Sequence, residues 1–319
     1  MYDIFLPGDY FFDLIYTGLP SFPVLGQEVY GTGIISTGGG MYITAASLHR
    51  LEVKTAWPAV FGNDYYSRFV YEIAREAQID LSLSRCIDAP YRRVSTSIPY
   101  EGERAFVTYI DPAPLDMHAF WLERMQQVEF KHLHLGGLMS IDELTPLAAV
   151  ARTRGATITM DCQDVPVLHT PCAWCDLLAL VDVFLPNARE ALIVSGTSSV
   201  HAAIHQIMAW VEAVVVKDGA NGAWIGTGGQ ITHVPAINAG PVIDTTGAGD
   251  CFNAGFLRGY VVEQKPLLNS VCYANICGGL SVTGVGGATA APAYDQLQAW
   301  LSACPDECQA DSHTTQPQK

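Results

Sequence analysis

Basic residues are scarce in this sequence. Its 319 residues include 17 Lys and Arg but 32 Asp and Glu, so the formal net charge at pH 7 is −15. A surface with this balance repels phosphate backbones, which argues against nucleic-acid binding. Any phosphate that the chain binds must therefore be held by local dipoles and a few well-placed donors.

Other absences narrow the class of protein further. No charged amino-terminal region followed by an apolar stretch opens the chain, and no apolar run reaches membrane length. We therefore expect neither secretion nor membrane insertion, and a cytoplasmic location by default. Nine cysteines, scattered and odd in number, fit reduced thiols in that compartment. With 49% hydrophobic residues, the chain can bury a large core.

One cysteine cluster could in principle hold zinc. It consists of Cys162, His169, Cys172 and Cys175 and includes a C-x-x-C pair. No second C-x-x-C pair accompanies it, and prolines interrupt the segment, so the pattern does not favour a metal site. Residues 304–319 are polar and are predicted to form a disordered tail.

Short apolar runs alternate with longer segments of helical period. Residues 2–8, 56–62, 132–136, 157–161, 183–185 and 214–217 are predicted as buried strands, and residues 42–51 and 65–78 as helices. This alternation favours a parallel sheet covered on both faces, with ligands bound at the carboxyl ends of its strands. Residues 15–37 and 92–110 break the alternation, which predicts antiparallel strands standing off the main sheet.

The most informative segment reads DTTGAGDCFNAGF at residues 244–256. Gly247, Ala248 and Gly249 can turn backbone N–H groups toward one point, and a helix entered at about Asp250 adds its positive dipole end. Together these groups predict an anion site. A carboxylate beside phosphate is a poor ligand, but it is a good base for a hydroxyl that attacks phosphorus.

This segment resembles the signature D-T-x-G-A-G-D of the ribokinase-like, or PfkB, carbohydrate kinases. The resemblance covers most of the chain. It implies a three-layer α/β/α fold with a mostly parallel central sheet and a small β-sheet lid formed by residues 15–37 and 92–110. It also implies a single kinase domain over residues 1–303, in which the γ-phosphoryl group of ATP is transferred to a sugar hydroxyl. Asp250 is then the general base, and the amides of Gly247, Ala248 and Gly249 are the anion hole.

Two further segments of the resemblance concern the sugar. GDYFFD at residues 8–13 is similar to the family's G-[ND]-x-x-x-D, which makes Asp13 the candidate for binding a sugar diol. GGGMYITAASLHRL at residues 38–51 is similar to G-G-x-x-x-N-x-A-x-x-L-x-R-L-G. It departs from that pattern because Ile43 replaces the sugar-contacting Asn and Glu52 replaces the closing Gly. The other substrate candidates implied by the resemblance are Gly38, Gly39, Gly40 and the lid residue Arg104.

The remaining segments concern ATP and metal ions. NARE at residues 187–190 resembles the family's N-x-x-E, so Asn187 and Glu190 are expected to hold Mg²⁺, largely through water. Asp244 and Thr246 are candidates for a K⁺ site. The resemblance also implies a homodimer formed through the lid. The nucleotide-binding candidates are Asn187, Glu190, Lys217, Gly219, Gly222, Gly249 and Asn275.

Several alternatives stay open. The aromatic residues Tyr10, Phe11, Phe12 and Tyr16 leave room for a nucleoside in place of a ribose-, fructose- or keto-deoxy-sugar-like substrate. A catalytically silent sugar-binding regulator is an alternative of another class, and the retention of Asp250 argues against it. A dinucleotide-binding oxidoreductase fits worse, because the first strand lacks a G-x-G-x-x-G turn.

Overall fold

The computed structural model of this chain describes residues 1–100, 103–163, 168 and 174–303, and of Glu103 and Arg104 it describes the backbone alone. The predicted tail, residues 304–319, lies outside this range. The strands are β1 (Tyr2–Phe5), β2 (Tyr10–Thr17), β3 (Gly33–Gly40), β4 (Thr55–Ala56), β5 (Val60–Phe61), β6 (Arg85–Cys86), β7 (Arg93–Tyr100), β8 (Glu103–Ile110), β9 (Phe130–Leu135), β10 (Thr157–Asp161), β11 (Val183–Leu185), β12 (Ala213–Lys217), β13 (Ala223–Thr227) and β14 (Gln230–Val234).

The helices surround the sheets and alternate with the parallel strands. They are α1 (Met41–Arg50), α2 (Tyr65–Glu76), α3 (Met117–Gln127), α4 (Ile141–Thr153), α5 (Trp174–Leu178), α6 (Ala188–Ser195), α7 (Val200–Ile207), α8 (Ala248–Leu257), α9 (Leu267–Ser281), α10 (Gly287–Ala290) and α11 (Tyr294–Ala303). A π-helical turn, Arg258–Val262, extends α8. Among the described residues, no helix combines the length and apolar character needed to cross a membrane.

An eight-stranded sheet forms the centre of the molecule, in the order β14-β13-β12-β11-β10-β9-β1-β4. The strands from β12 to β4 in this order are parallel, and β13 and β14 form an antiparallel edge. Apolar side chains cover both faces: Leu185 and Val215 belong to one buried cluster, and Ile158 and Val214 to the other. The predicted parallel sheet covered on both faces is thus confirmed.

A separate four-stranded sheet, in the order β3-β2-β7-β8, forms the lid. The lid strands extend beyond the predicted segments, because β2 begins at Tyr10 and β3 continues to Gly40. Asp13 therefore lies in the middle of a lid strand and not at the end of the opening strand, which stops at Phe5. Pro7 has no N–H with which to continue the sheet ladder, and the chain leaves the central sheet there.

The strand predicted at residues 56–62 is two strands. Thr55 and Ala56 pair with β1 in the central sheet, whereas Val60 and Phe61 pair with β6 in a separate ribbon. Pro58 lies between the two pieces and cannot donate a ladder hydrogen bond, so the apolar run does not continue as one strand.

The lid is anchored to the body of the molecule by aromatic packing. The ring of Phe12 on β2 lies 5.0 Å from that of Phe69 and 5.2 Å from that of Tyr66, both on α2. At the junction, the guanidinium of Arg93 pairs with Asp9 at 3.1 Å and donates to the carbonyl of Tyr10. These contacts hold the lid strand that carries Asp13 against α2.

Candidate active site

The glycine turn precedes a helix, as predicted, but the helix starts earlier. Helix α8 begins at Ala248, with Gly247 as its N-cap at φ 73° and ψ 5°, so Asp250 is the third helical residue. The left-handed backbone at Gly247 explains the need for glycine there. The N–H of Ala248 donates to the carbonyl of Thr245 at 3.3 Å, whereas the N–H groups of Gly249 and Asp250 belong to the first turn, which has no intrahelical acceptor for them.

Asp250 is half-buried beside helix α1. Its Oδ1 accepts a hydrogen bond of 2.8 Å from the hydroxyl of Thr44. Burial and, to a lesser extent, the charge of Asp161 raise the pKa of Asp250 to about 6, although the Thr44 hydrogen bond and the charge of Lys217 act in the opposite direction. A carboxyl group with this pKa is ionised at neutral pH and is a competent base.

Asp161, Lys217 and Asn253 form a buried cluster below Asp250. Oδ1 of Asp161 lies 2.7 Å from Nζ of Lys217, and Oδ2 accepts a hydrogen bond of 2.6 Å from the amide of Asn253. Nζ of Lys217 also lies 3.4 Å from Oδ1 of Asn253. A Cβ added to Gly249 would lie 3.7 Å from the same Nζ. The Lys217 ammonium therefore lies next to the glycine turn, but it is held there by an ion pair.

Asp13 projects from the lid into the same region. A Cβ on Gly39 would collide with the Asp13 carboxylate, so glycine at this position makes room for the acid. Burial raises the pKa of Asp13 to about 7, with contributions from the charges of Asp250 and Asp244. The structure thus brings together three carboxylates that are far apart in sequence.

Ile43 is a packing residue in this structure. It is 3% exposed, and a Cβ added to Gly247 would lie 3.1 Å from both Cγ2 and Cδ1 of Ile43. The same side chain lies against Gly287. The sequence pattern placed Ile43 at a sugar-contacting position. The structure instead places it behind the glycine turn, while the adjacent Thr44 faces Asp250, because successive side chains of α1 point in different directions.

The other substrate glycines lie at the end of β3. Gly40 is the N-cap of α1 with a positive φ of 57°, and a Cβ on Gly38 would meet the ring of Tyr42. Gly38 is therefore required by packing inside the body, while Gly39 faces Asp13. Arg104 pairs with Pro99 in the lid, and its side chain lies outside the described part of the chain.

Asn187 and Glu190 form a capping box at the start of α6. The N–H of Glu190 donates to Oδ1 of Asn187 at 2.9 Å, and the N–H of Asn187 donates to Oε2 of Glu190 at 2.8 Å. Glu190 is buried, and its charge raises the pKa of Lys217. Both side chains carry the oxygen atoms that Mg²⁺ prefers, but the capping box already uses one oxygen of each as a hydrogen-bond acceptor. The pair is therefore better suited to binding Mg²⁺ through water molecules than to coordinating it directly.

Asp244 and Thr246 stabilise the loops around the glycine turn. Oδ1 of Asp244 accepts from the N–H of Thr246 at 2.9 Å, and Oδ2 accepts from the N–H of Gly286 at 2.9 Å. The hydroxyl oxygen of Thr246 is buried and has no hydrogen-bond partner among the described residues. An unpartnered oxygen beside a carboxylate fits the donor set of a monovalent cation.

Some of the predicted nucleotide residues have structural contacts of their own. The Asn275 amide donates to the carbonyls of Val234 and Pro235 at 3.1 and 2.9 Å, which ties α9 to the end of β14. Gly222 has a φ of 89°, and a Cβ there would collide with the Val234 carbonyl. Gly219, with a φ of 55°, faces open space in the loop after β12.

The cluster of Cys162, His169, Cys172 and Cys175, which the sequence did not favour as a metal site, is only partly described. Cys162 is buried, Cys175 is exposed, and His169 and Cys172 lie outside the described residues. Within the described ranges, no group of three or more His, Cys, Asp and Glu side chains is arranged to hold a metal ion.

Sequence reasoning missed three residues of the site: Thr44, Asp161 and Asn253. A signal existed for Asp161, because it closes a predicted parallel strand at the edge where ligands bind. A signal also existed for Asn253, which lies one helical turn after Asp250 on the same face. Nothing in the pattern at residues 38–51 marks Thr44.

Comparisons with known proteins agree with the fold. A fructokinase of Klebsiella pneumoniae is 28% identical over 82% of this chain and 90% of its own length, and an aminoimidazole riboside kinase of Salmonella typhimurium is 25% identical over 83% and 88%. The ribokinase structure from Giardia lamblia superposes with a TM-score of 0.78 at 20% identity, covering 94% of this chain and 99% of that one. These likenesses confirm the ribokinase-like fold.

The family model described as pfkB family carbohydrate kinase matches residues 32–293. This range contains the glycine turn, the Asn187 and Glu190 pair and most of the lid. The expectation of a phosphotransferase with an alcohol acceptor is confirmed at the level of the family. The chain therefore belongs to the pfkB family of carbohydrate kinases.

Proposed function

We propose that this protein transfers the γ-phosphoryl group of ATP to a hydroxyl of a neutral sugar, with Asp250 as the general base. The observation that carries this proposal is the position of Asp250, which lies half-buried in the first turn of α8, next to the glycine turn, with its pKa raised to about 6. A base with a pKa just below neutrality combines the ionised form with useful proton affinity.

The chemical step follows from this arrangement. The Asp250 carboxylate accepts the proton of the sugar hydroxyl, the hydroxyl oxygen forms a bond to the γ-phosphorus, and the bond between that phosphorus and ADP breaks. Negative charge on the transferred group is stabilised by the turn of Gly247, Ala248 and Gly249 and by the α8 dipole. Thr44 orients the base through its hydrogen bond to Oδ1.

Asp13 is proposed to bind the sugar. Its carboxylate can accept two hydroxyl hydrogen bonds, and the missing side chain of Gly39 leaves space beside it. Gly38, Gly40 and Ile43 support this region through packing, and Arg104 is proposed as a lid contact. Because Asp13, Asp244 and Asp250 lie together, a sugar without a carboxylate fits the site better than a keto-deoxy acid.

The ATP site is proposed at the carboxyl ends of β11 and β12. Asn187 and Glu190 would hold Mg²⁺ through water, and the ion supplies positive charge to the phosphates when it is bound. Lys217 adds a positive charge beside Gly249. The loop of Gly219 and Gly222 and the helix of Asn275 frame the nucleotide, and Asp244 and Thr246 are proposed to bind K⁺.

A homodimer formed through the lid is proposed on the composition of its outer strand. Phe106, Val107, Tyr109 and Ile110 on β8 are 51%, 66%, 53% and 48% exposed. An exposed apolar strand at a sheet edge favours pairing with a second copy. The cytoplasm is the proposed location, since the nine cysteines are scattered and odd in number, as is typical of reduced thiols.

A coupled ADP-release assay on ribose, fructose, a keto-deoxy sugar acid and nucleosides tests the function. We expect turnover on a neutral sugar. A nucleoside is the second candidate, but Tyr10 and Phe12 are buried in the apolar core, so Phe11 is left as the aromatic residue of that segment on the Asp13 face. Sugar binding without ADP release on any substrate would indicate the silent regulator instead.

A further inference from the structure

One face of the central sheet carries a polar stripe where apolar side chains are the rule. His132 and His134 on β9 pair in register with Thr157 and Thr159 on β10, and Asp161 follows two residues later. Side chains two apart on a strand share a face, so these five residues form one continuous row. Strands of a parallel sheet covered on both faces are ordinarily apolar, which makes this row a departure that needs a reason.

Hydrogen bonds connect the four His and Thr side chains of the row. His132 Nδ1 lies 2.7 Å from the Thr157 hydroxyl, and His132 Nε2 lies 2.8 Å from the Thr159 hydroxyl. The same Thr159 hydroxyl lies 2.8 Å from Nδ1 of His134. Thr159 therefore joins the two buried imidazoles.

The row lies beneath the helix that carries Asp250. At one end, the ring of His132 is 6.4 Å from that of Tyr260, in the turn that extends α8. At the other end, Asp161 accepts the amide hydrogen bond of Asn253, three residues after Asp250 on α8. The polar stripe thus connects the centre of the sheet to the cluster below the catalytic base.

The hydrogen bonds couple the tautomers of the two imidazole rings. Burial lowers the pKa of His132 well below its ordinary value and that of His134 to about 4, so both rings are neutral. A neutral imidazole has one donor and one acceptor nitrogen, and Thr159 has one hydroxyl hydrogen. If Thr159 donates to one ring it must accept from the other, so the tautomer of His132 determines that of His134.

The hydrogen-bonded row ends at His134, close to the ion pair of Asp161 and Lys217. Nε2 of His134 is buried and has no hydrogen-bond partner among the residues that the structure describes. The charge of Asp161 raises the pKa of His134, and that of Lys217 lowers it. The unsatisfied nitrogen therefore lies within the electrostatic reach of the pair that also acts on Asp250.

We propose that His132, Thr159 and His134 form a positioning element that holds the Asp161 and Lys217 pair in place and thereby sets the strength of the base. Opposing influences act on Asp250: Asp161 on β10 weakens its ionisation, while Lys217 on β12 and the Thr44 hydroxyl on α1 favour it. Asp13 on β2 adds another negative charge nearby. If the hydrogen bonds of the row are lost, Lys217 can move toward Asp250. Its positive charge then lowers the pKa of Asp250, which becomes a weaker base. This inference rests on the proposed kinase function.

Two substitutions of Thr159 test the idea. Thr159→Val keeps the shape and removes the hydroxyl that links both rings, whereas Thr159→Ser keeps the hydroxyl and removes a methyl group. For Thr159→Val we expect kcat to fall up to about threefold, the most that a base weakened by about 0.5 pKa unit loses, with the KM values of sugar and ATP within about twofold and the acid limb of the kcat profile about 0.5 pH unit lower. Thr159→Ser should retain most of kcat and the wild-type limb. Equal kcat and equal limbs in the two variants would overturn the inference.

A second measurement covers the case in which Thr159→Val fails to fold. In the ¹⁵N-labelled wild-type protein, both imidazoles should stay neutral between pH 5.5 and 9, as their lowered pKa values require. Saturation with Mg–ADP should shift the Nε2 resonance of His134. An unshifted resonance would refute the coupling. If the wild-type protein releases no ADP on any substrate, the proposed function itself is refuted. If the wild-type protein turns over normally but the Val and Ser variants are indistinguishable, only this inference is refuted.

Discussion

The hydroxyl of Thr44 donates a hydrogen bond of 2.8 Å to Oδ1 of Asp250 across 206 positions of the chain. The contact joins α1, which leads from the lid, to α8, which begins at the glycine turn. Strand β3 of the lid leads directly into α1, so a short stretch of chain and one hydrogen bond link the lid to the proposed base. Thr44 also favours the ionised form of Asp250, because the hydrogen bond lowers its pKa.

The first prediction concerns this hydrogen bond and pH. The base must be ionised, so kcat at saturating sugar should rise with pH through the Asp250 pKa of about 6, whereas kcat/KM also depends on Asp13, whose pKa is about 7. Thr44→Val removes an interaction that lowers this pKa, and we expect the acid limb to move up by about 1 unit. Thr44→Ser, which retains a hydroxyl, is the matched control. A Val variant with an unmoved limb would mean that Thr44 does not act on the base.

Replacement of the base itself gives the second prediction. We expect Asp250→Asn to lower kcat by roughly 10²–10⁴ while ATP affinity stays nearly unchanged, as loss of a general base requires. Asp295→Asn, an exposed substitution on α11, should leave kcat unchanged. Retention of more than about a third of wild-type kcat, with chemistry shown to limit the rate, would exclude Asp250 as the base.

The third prediction separates sugar binding from nucleotide binding. Asp13→Ala should raise the KM of the sugar strongly, because a hydrogen bond to a charged group is worth about 1.5–3 kcal/mol. ATP affinity, measured by calorimetry, should change little, since Asp13 belongs to the lid, whereas Lys217, Gly219 and Gly222 lie at the end of β12 and in the loop after it. An unchanged sugar KM would place the substrate elsewhere.

Sequence patterns predicted the frame of this fold well and its junctions poorly. Residues 157–161 and 183–185 are strands as predicted, because a buried parallel strand leaves a short apolar run between polar segments. The lid strand through Asp13 was missed because GDYFFD reads as the end of the opening strand, and its pairing with β3 and β7 depends on residues far along the chain.

The same limit applies to the site. Asp250 could be found from its local glycine turn, since the turn, the helix start and the acid are neighbours in sequence. Asp161 and Lys217 are 56 positions apart, and their pairing depends on the order of β10, β11 and β12 in the sheet. His132 and His134 read as part of an apolar strand, so their alternation with Leu133 did not stand out.

The fourth prediction concerns backbone strain after α1. Glu52 replaces the glycine of the family pattern and has a φ of 58°, the left-handed region that favours glycine. We expect Glu52→Gly to raise the free energy of unfolding by roughly 0.5–1 kcal/mol, the relief of strain less the added chain entropy. Urea denaturation of the two proteins, compared at their midpoints, measures this change in the free energy of unfolding. Glu76→Gly, at the last helical residue of α2, is the control and should destabilise.

The fifth prediction concerns Ile43, where the family pattern and this chain differ. Because Ile43 packs against Gly247 and Gly287, an amide at this position would be buried against the backbone of the glycine turn. An unsatisfied buried amide costs about 1–3 kcal/mol. We expect Ile43→Asn to lower kcat on every accepted sugar by a similar factor and to leave the order of preference unchanged.

A smaller substitution and a substrate panel decide how this position acts. Ile43→Val removes only Cδ1 and keeps Cγ2, so it should cost about 0.5–1.5 kcal/mol of stability and alter kcat little. If Ile43 instead contacted the sugar, Asn would affect substrates unequally according to their hydroxyl patterns. A gain in kcat/KM on ribose or fructose with no loss on the best substrate would therefore show that Ile43 faces the sugar and does not support the glycine turn.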